Sequence, residues 1–190
     1  MSDILGLKRG TVKLLPHNPK WAELFEEERQ LLINTFGDTI IAIEHIGSTS
    51  IPGIPAKPIL DMNIGVESLE VALAMKDEFV RLGYEHRPFV QGVSLEGLRE
   101  QELYVRGPES RRTHFAHVTV YASDFWNRSL VFRDYLRSHP NRAQEYADLK
   151  TALANAHAAD RTSYSKAKTD FVLETLELAR RSNETGEPGI

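Results

Sequence analysis

The stretch EHIGSTSIPGIPAKPILDMNIGV, residues 44–66, decides how this chain is read. An apolar, β-branched run over Thr39 to Ile46 predicts a buried strand that stops at Gly47-Ser48. Three prolines, Pro52, Pro55 and Pro58, stiffen the loop that follows by fixing φ. A second strand is expected over Ile59 to Val66. Gly47 lets the backbone turn sharply and lets another group approach it closely. Ser48, Thr49 and Ser50 add hydroxyls, and the N–H groups of such a loop can cradle an anion. Lys57 brings a positive charge just before the second strand. Asp61 and Asn63 are two apart, so both side chains leave one face of that strand, while Met62 and Ile64 point into the core. Oxygen ligands beside a Gly-Ser loop suit a hard cation such as Mg²⁺ carrying phosphates. A plain strand-connecting turn with a solvated Asp61 is the competing reading, because short motifs often match by chance.

Outward from this stretch, the chain alternates helix and strand. Residues 1–17 read as a leader with an extended arm at Thr11 to Leu15. Asn18-Pro19 starts a helix that Gly37 ends, with Trp21, Leu24, Phe25, Leu31, Leu32 and Phe36 near helical spacing. Glu67 to Leu82 is expected as one helix, with Val71, Met75, Phe79 and Leu82 on its apolar stripe. Tyr84 to Phe89 reads as extended. Glu100 to Arg106 and Thr113 to Tyr121 read as strands of a hairpin closed by GPESRR. Ser123-Asp124 opens a run of helices at about 124–138, 140–157 and 162–181, before a tail over 183–190 expected to be disordered. The pattern gives an α+β or mixed α/β class with a helical C-terminal part. One domain over 1–182 is expected, with its core at about 18–121.

Composition narrows the partners. The 190 residues carry a formal net charge of −4, which argues against a dedicated nucleic-acid binder. No cysteine is present, which excludes disulfides, thiolate metal sites and a cysteine nucleophile. No run approaches the roughly 20 apolar residues of a membrane span. Met1 to Gly10 lacks the apolar core of a secretory signal, so a cytoplasmic location is the default expectation.

A family resemblance adds to this reading. Gly47-Ser48, twelve intervening residues and then Asp61-Met62-Asn63-Ile64 resembles the signature of the nucleotidyltransferase superfamily. More narrowly, HIGSTSIPGIPAKPILDMNIGV closely resembles the signature of its GrpB-like family. HFAHV (114–118), FRDYLRSHPNRAQEYADLK (132–150) and YSKAKTDFV (164–172) resemble further blocks of that family, so the likeness spans most of residues 15–180. It implies an α+β, nucleotidyltransferase-like mixed sheet flanked by helices. It also implies a triphosphate held at Gly47 and Ser48, and Mg²⁺ held by carboxylates of the next strand. Metal ions in such sites lower the pKa of an attacking hydroxyl and neutralise the leaving pyrophosphate.

Asn63 departs from the pattern, because it stands where a second carboxylate is usual. An amide offers one neutral oxygen and no charge to hold Mg²⁺ against its hydration shell. Glu102 is the candidate third metal ligand beside Asp61 and Asn63. His117, on a face with Phe115 and Thr119, is the candidate general base or ligand with Asp61. Thr49, Lys57, Arg112, Tyr164 and Lys168 are expected to join Gly47 and Ser48 around the phosphates or the nucleotide. Tyr146–Lys150 and Tyr164–Lys168 are each four apart, so each pair lies on one helix face. His45 is expected to anchor the loop, and Trp21 and Trp126 to serve packing. Three readings follow. One is a Mg²⁺-dependent nucleotidyltransferase acting on a nucleoside triphosphate and a small acceptor. Another is a non-catalytic nucleotide or phosphometabolite binder on the same fold. The last is a scaffold that keeps only the fold.

Overall fold

The computed structural model describes residues 4–87, 101–157 and 160–185. Helix α1 (Lys20–Phe36) begins where the Asn18 side chain accepts the N–H of Lys20 at 3.0 Å, and it ends at Gly37, whose φ is 53°. Strands β1 (Ala42–Ile46) and β2 (Leu60–Val66) form an antiparallel pair around the proline loop. The expected helix over 67–82 is two short ones, α2 (Leu69–Ala74) and α3 (Lys76–Arg81), which turn at Met75. Ser68 caps α2 by accepting the N–H of Val71. Strand β3 (Tyr84–Arg87) follows, and its expected extension to Phe89 lies outside the described residues. Strands β4 (Gln101–Arg106) and β5 (His114–Val120) form the expected hairpin.

The five strands lie in the order β1-β2-β5-β4-β3, so the sheet is mixed, with β2 and β5 as its one parallel pair. This is an α+β fold, with helices on both sides. One face carries Ile43, Met62, Ile64, Val66, Tyr104, Ala116 and Val118 against α1, α2 and α3. Phe79 is its centre, with ring centroids 4.8 Å from Phe36, 5.2 Å from Tyr84 and 4.2 Å from Tyr104. Aromatic pairs of this kind add about 0.5–1.5 kcal/mol each beyond simple burial.

The C-terminal helices are α4 (Asp124–Ser138), α5 (Pro140–Ala156), α6 (Arg161–Lys166) and α7 (Thr169–Thr185). The expected helix over 162–181 is thus broken after Lys166. Helix α7 continues to Thr185, so the first three residues of the expected tail are helical, and 186–190 lie outside the described residues. Helix α4 crosses the second face of the sheet, the one that bears Asp61, Asn63 and Gly65. Trp126 and Tyr121 fill the space above Gly65, where an added Cβ would meet them at 2.9 and 2.8 Å. Gly65→Ala therefore forces both rings to move. We expect a loss of about 1–3 kcal/mol in urea unfolding, with the helix content unchanged by circular dichroism.

Candidate functional site

Gly47 ends β1 in a left-handed conformation, φ 67°, that glycine adopts at least cost. Ser48–Ser50 then form one 3₁₀ turn. It is closed by the Ser50 N–H on the Gly47 carbonyl and the Ile51 N–H on the Ser48 carbonyl, both 3.2 Å. The Ser50 hydroxyl also donates to the Gly47 carbonyl at 2.6 Å. The N–H groups of Ser48 and Thr49 precede these closures, as the leading donors of any helix do.

Register brings the acid to the turn, because Asp61 pairs with Ile46, the residue before Gly47. A Cβ on Gly47 would lie 2.6 Å from Asp61 Oδ2, so no side chain fits between turn and carboxylate. The Asp61 side chain is 31% exposed, and its Oδ1 lies 3.7 Å from His117 Nε2. His117 is oriented from behind by Gln101, whose Oε1 is 2.5 Å from Nδ1. That partner holds the proton on Nδ1 and leaves Nε2, the atom facing Asp61, with a lone pair in the neutral ring. Sequence reasoning missed Gln101, because its pairing with the His117 strand is a non-local register.

The other expected residues divide sharply. Asn63 is on the Asp61 face but fully buried, and its Oδ1 accepts the Thr119 hydroxyl at 3.0 Å. Its Nδ2 is a buried donor with no partner. Glu102 pairs with Val118, so it points to the opposite face of the sheet and meets His86 Nε2 at 2.6 Å. It does not join Asp61. Among the described residues, no group of three or more Asp, Glu or His could hold a metal ion. One carboxylate together with phosphate oxygens fits the usual manner of holding Mg²⁺, but a second resident metal finds no acid here. Thr49 is buried. Its hydroxyl donates to the Ile59 carbonyl at 3.4 Å and meets His45 Nε2 at 3.0 Å, so it serves the loop's own packing. Arg112 is buried at the sheet edge on Glu85 and the Gly107 carbonyl, where it bolts the hairpin.

Lys57, Tyr164 and Lys168 do come together. The Tyr164 ring has Lys57 Nζ at 5.1 Å and Lys168 Nζ at 4.6 Å from its centroid. Lys150 Nζ donates to the Pro55 carbonyl at 2.5 Å and lies 4.6 Å from the Tyr146 centroid. From α4, Arg133 binds Glu44 and the His45 carbonyl, and Arg137 makes two bonds, of 3.0 and 2.8 Å, to the Ser50 carbonyl.

His45 anchors the turn from the opposite side, stacked on Phe25 at 4.6 Å. Burial pulls its pKa down to about 4, against a rise from Asp61 and with further lowering from Arg137 and Arg133. His114 is likewise pulled down to about 4, chiefly by burial. Both rings are therefore neutral at pH 7.

A model of the GrpB family matches residues 11–178. The chain belongs to the GrpB family. That family has a nucleotidyltransferase-like fold. Glutamate-rich protein GrpB of Alkalihalophilus pseudofirmus is 37% identical over 174 residues, covering 91% of this chain and 98% of that protein. The UPF0157 protein YqkA of Bacillus subtilis is 39% identical over 170 residues; the match covers 90% of this chain but only 48% of YqkA, so the chain spans about half its length. Among solved structures, conserved protein GrpB from Enterococcus faecalis superposes with a TM-score of 0.77 at 34% identity, covering 90% of this chain and 99% of that one. Among the described residues of this GrpB-family chain, no helix is long and apolar enough to cross a membrane.

Two outcomes test this geometry. Gly47→Ala places a methyl group against Asp61 and forces a strained φ, and we expect it to cost about 2–4 kcal/mol. Combined with Asp61→Ala, part of that loss returns, so the double-mutant cycle shows coupling between the turn and the acid. The second outcome is acid lability. His45 and His114 titrate near 4 when folded and near 6.5 when unfolded, so the unfolded chain binds more protons between those values. Stability is full above pH 6.5 and falls toward pH 4, by up to about 3 kcal/mol per histidine. In urea melts from pH 4 to 7, His45→Gln flattens that slope.

Proposed function

We propose that this protein binds a magnesium nucleotide, with phosphates on the Gly47–Ser48 turn and the cation between them and Asp61. The observation that carries this reading is the packing of Gly47 against the Asp61 carboxylate, 2.6 Å from where a Cβ would sit. A turn with forward N–H groups attracts phosphate, whereas an ionised carboxylate beside it repels phosphate. The two act together only when a cation lies between them, and one carboxylate plus phosphate oxygens is how Mg²⁺ is commonly held. Bound there, the ion offsets phosphate charge and polarises the phosphoryl oxygens. Asp61 holds the cation side, the turn orients the phosphates, and α4 keeps the turn rigid through Arg133 and Arg137.

A second reading, transfer of the nucleotidyl group to a small acceptor, is favoured by His117. Its Nε2 is 3.7 Å from Asp61 and its ring is fixed by Gln101. An imidazole so held can take the proton of an acceptor hydroxyl as oxygen attacks the α-phosphorus and pyrophosphate leaves. The neutral, buried Asn63 weighs toward binding without turnover, because the charge a second metal uses is missing.

The test is thermal unfolding with nucleoside triphosphates, with and without Mg²⁺. Saturation at about 100 times Kd stabilises by about 2.7 kcal/mol, which raises Tm by about 5–11 °C in a chain of this size. We expect that rise only with Mg²⁺ present, and its loss in Asp61→Ala. No shift with any nucleotide would sink the reading. Pyrophosphate release from wild type that stops in His117→Gln, with the Tm rise retained, selects transfer over binding alone.

A further inference from the structure

Three lysines from separate parts of the chain meet under the C-terminal helices. Lys57 comes from the loop before β2, Lys150 from α5 and Lys168 from the α6–α7 junction. Lys57 and Lys168 flank the Tyr164 ring, and Tyr164 itself is only 1% exposed. Lys150 is also 1% exposed, and its Nζ meets the neutral Pro55 carbonyl and the Tyr146 ring. Among the described residues, neither Lys150 nor Lys168 forms an ion pair with a carboxylate. A lysine amine buried with no carboxylate beside it is costly to keep, and folding alone gives no reason to place one there. A buried lysine behind two partly exposed ones, Lys57 and Lys168, is a geometry suited to receiving an anion. Lys168 also lines a hollow of about 160 Å³ with Ser165, Thr169, Val172 and Leu173, so its side chain is within reach of a solute.

We propose that Lys57, Lys150 and Lys168 bind the charged oxygens of an oligophosphate, with Lys150 as the inner wall of the site. Three cations around two tyrosine rings exceed what a monoanion needs and match a pyrophosphate or the distal part of a triphosphate chain. The inference deepens the magnesium-nucleotide reading by naming residues for the rest of the phosphate chain, but it uses none of Gly47, Ser48 or Asp61.

Binding at this site takes up a proton. The groups facing Lys150 are Lys57 from the loop, Lys168 from the α6–α7 junction, Tyr146 on its own helix and the Pro55 carbonyl. Burial first, then Lys168 and Lys57, pull its pKa down to about 7. An arriving anion reverses the electrostatic part of that shift and restores the ammonium. Affinity therefore falls as pH rises above 7.

The probe is inorganic pyrophosphate without Mg²⁺, titrated calorimetrically into the full chain at pH 7.5 in HEPES and in Tris. We expect different apparent enthalpies in the two buffers, reporting proton uptake. Lys168→Met, at a partly exposed position, and Lys150→Met should each weaken binding at least tenfold. Lys150→Arg, which stays charged, should keep affinity and abolish the proton uptake. Asp61→Ala should leave pyrophosphate binding intact. Absence of pyrophosphate binding, or binding that survives both methionine variants, overturns the proposal. If nucleotide binding needs Asp61 but neither lysine, the lysine site falls and the reading at the turn stands. If the lysines matter and Asp61 does not, the reverse holds.

Discussion

Basic side chains of the C-terminal helices grip carbonyl oxygens at the end of β1 and along the segment that joins it to β2. Arg133 holds the His45 carbonyl, Arg137 the Ser50 carbonyl with two bonds, and Lys150 the Pro55 carbonyl. Hydrogen bonds from charged donors contribute about 1.5–3 kcal/mol each, more than neutral ones. Ile51 and Ile54 add an apolar seam against Leu136, Ala143, Tyr146 and Ala147. Three prolines narrow what the loop can do, and the cations select one conformation from the remainder. With its carbonyls drawn toward the helices, the loop holds Gly47 against Asp61. The helices are thus a working part of the structure, and the family match running to residue 178 agrees with that.

The sheet separates two kinds of chemistry by strand parity alone. On the α1 side, polar groups are paired among themselves: Tyr84 with Glu28, Arg106 with Glu28, and His86 with Glu102. They tie α1, β3 and β4 together through polar contacts. On the α4 side lie Glu44, Asp61, Asn63 and His117, joined by the registers of β1, β2 and β5. A shift of one residue in β5 would exchange His117 for Ala116 or Val118 and remove the imidazole from Asp61. The parallel pairing of β2 with β5 therefore does as much for the site as the loop does.

Much of this was legible in the sequence because it is local. Alternation placed Asp61 and Asn63 on one face, the Gly-Ser break marked the turn, and the spacing of β-branched runs gave the strands. What could not be read is long-range. Glu102 and His117 each sit in an alternating strand, and only the registers of β2 with β5 and of β5 with β4 say which of them shares a face with Asp61. The Thr49 hydroxyl resembled a ligand group until the neighbouring His45 and Ile59 carbonyl were seen to use it. Arg112 carries charge that sequence alone cannot distinguish from a free one. The helix breaks at Met75 and after Lys166 leave no glycine or proline as a mark. Lys150 looked like one more surface lysine, because its burial depends on a loop almost a hundred residues away.

Asn63 sets the final constraint. It is wholly buried, in register with Glu44 on one side and His117 on the other. An ionised aspartate there would carry a desolvation cost of several kcal/mol unless a cation were always present. The amide removes that cost and lets the sheet close without a metal. Asp61, by contrast, is partly exposed, so its carboxylate stays in contact with water. On the magnesium-nucleotide reading, a centre with both carboxylates would hold its metal ahead of its ligand, whereas Asp61 alone would be a weak metal site until phosphate oxygens complete the coordination. Cation and nucleotide would then arrive together, and each would raise the affinity of the other by the same factor. On that reading, the neutral Asn63 would set how strong the coupling is, because the turn would supply the phosphate partner without which the lone acid has little hold on a metal.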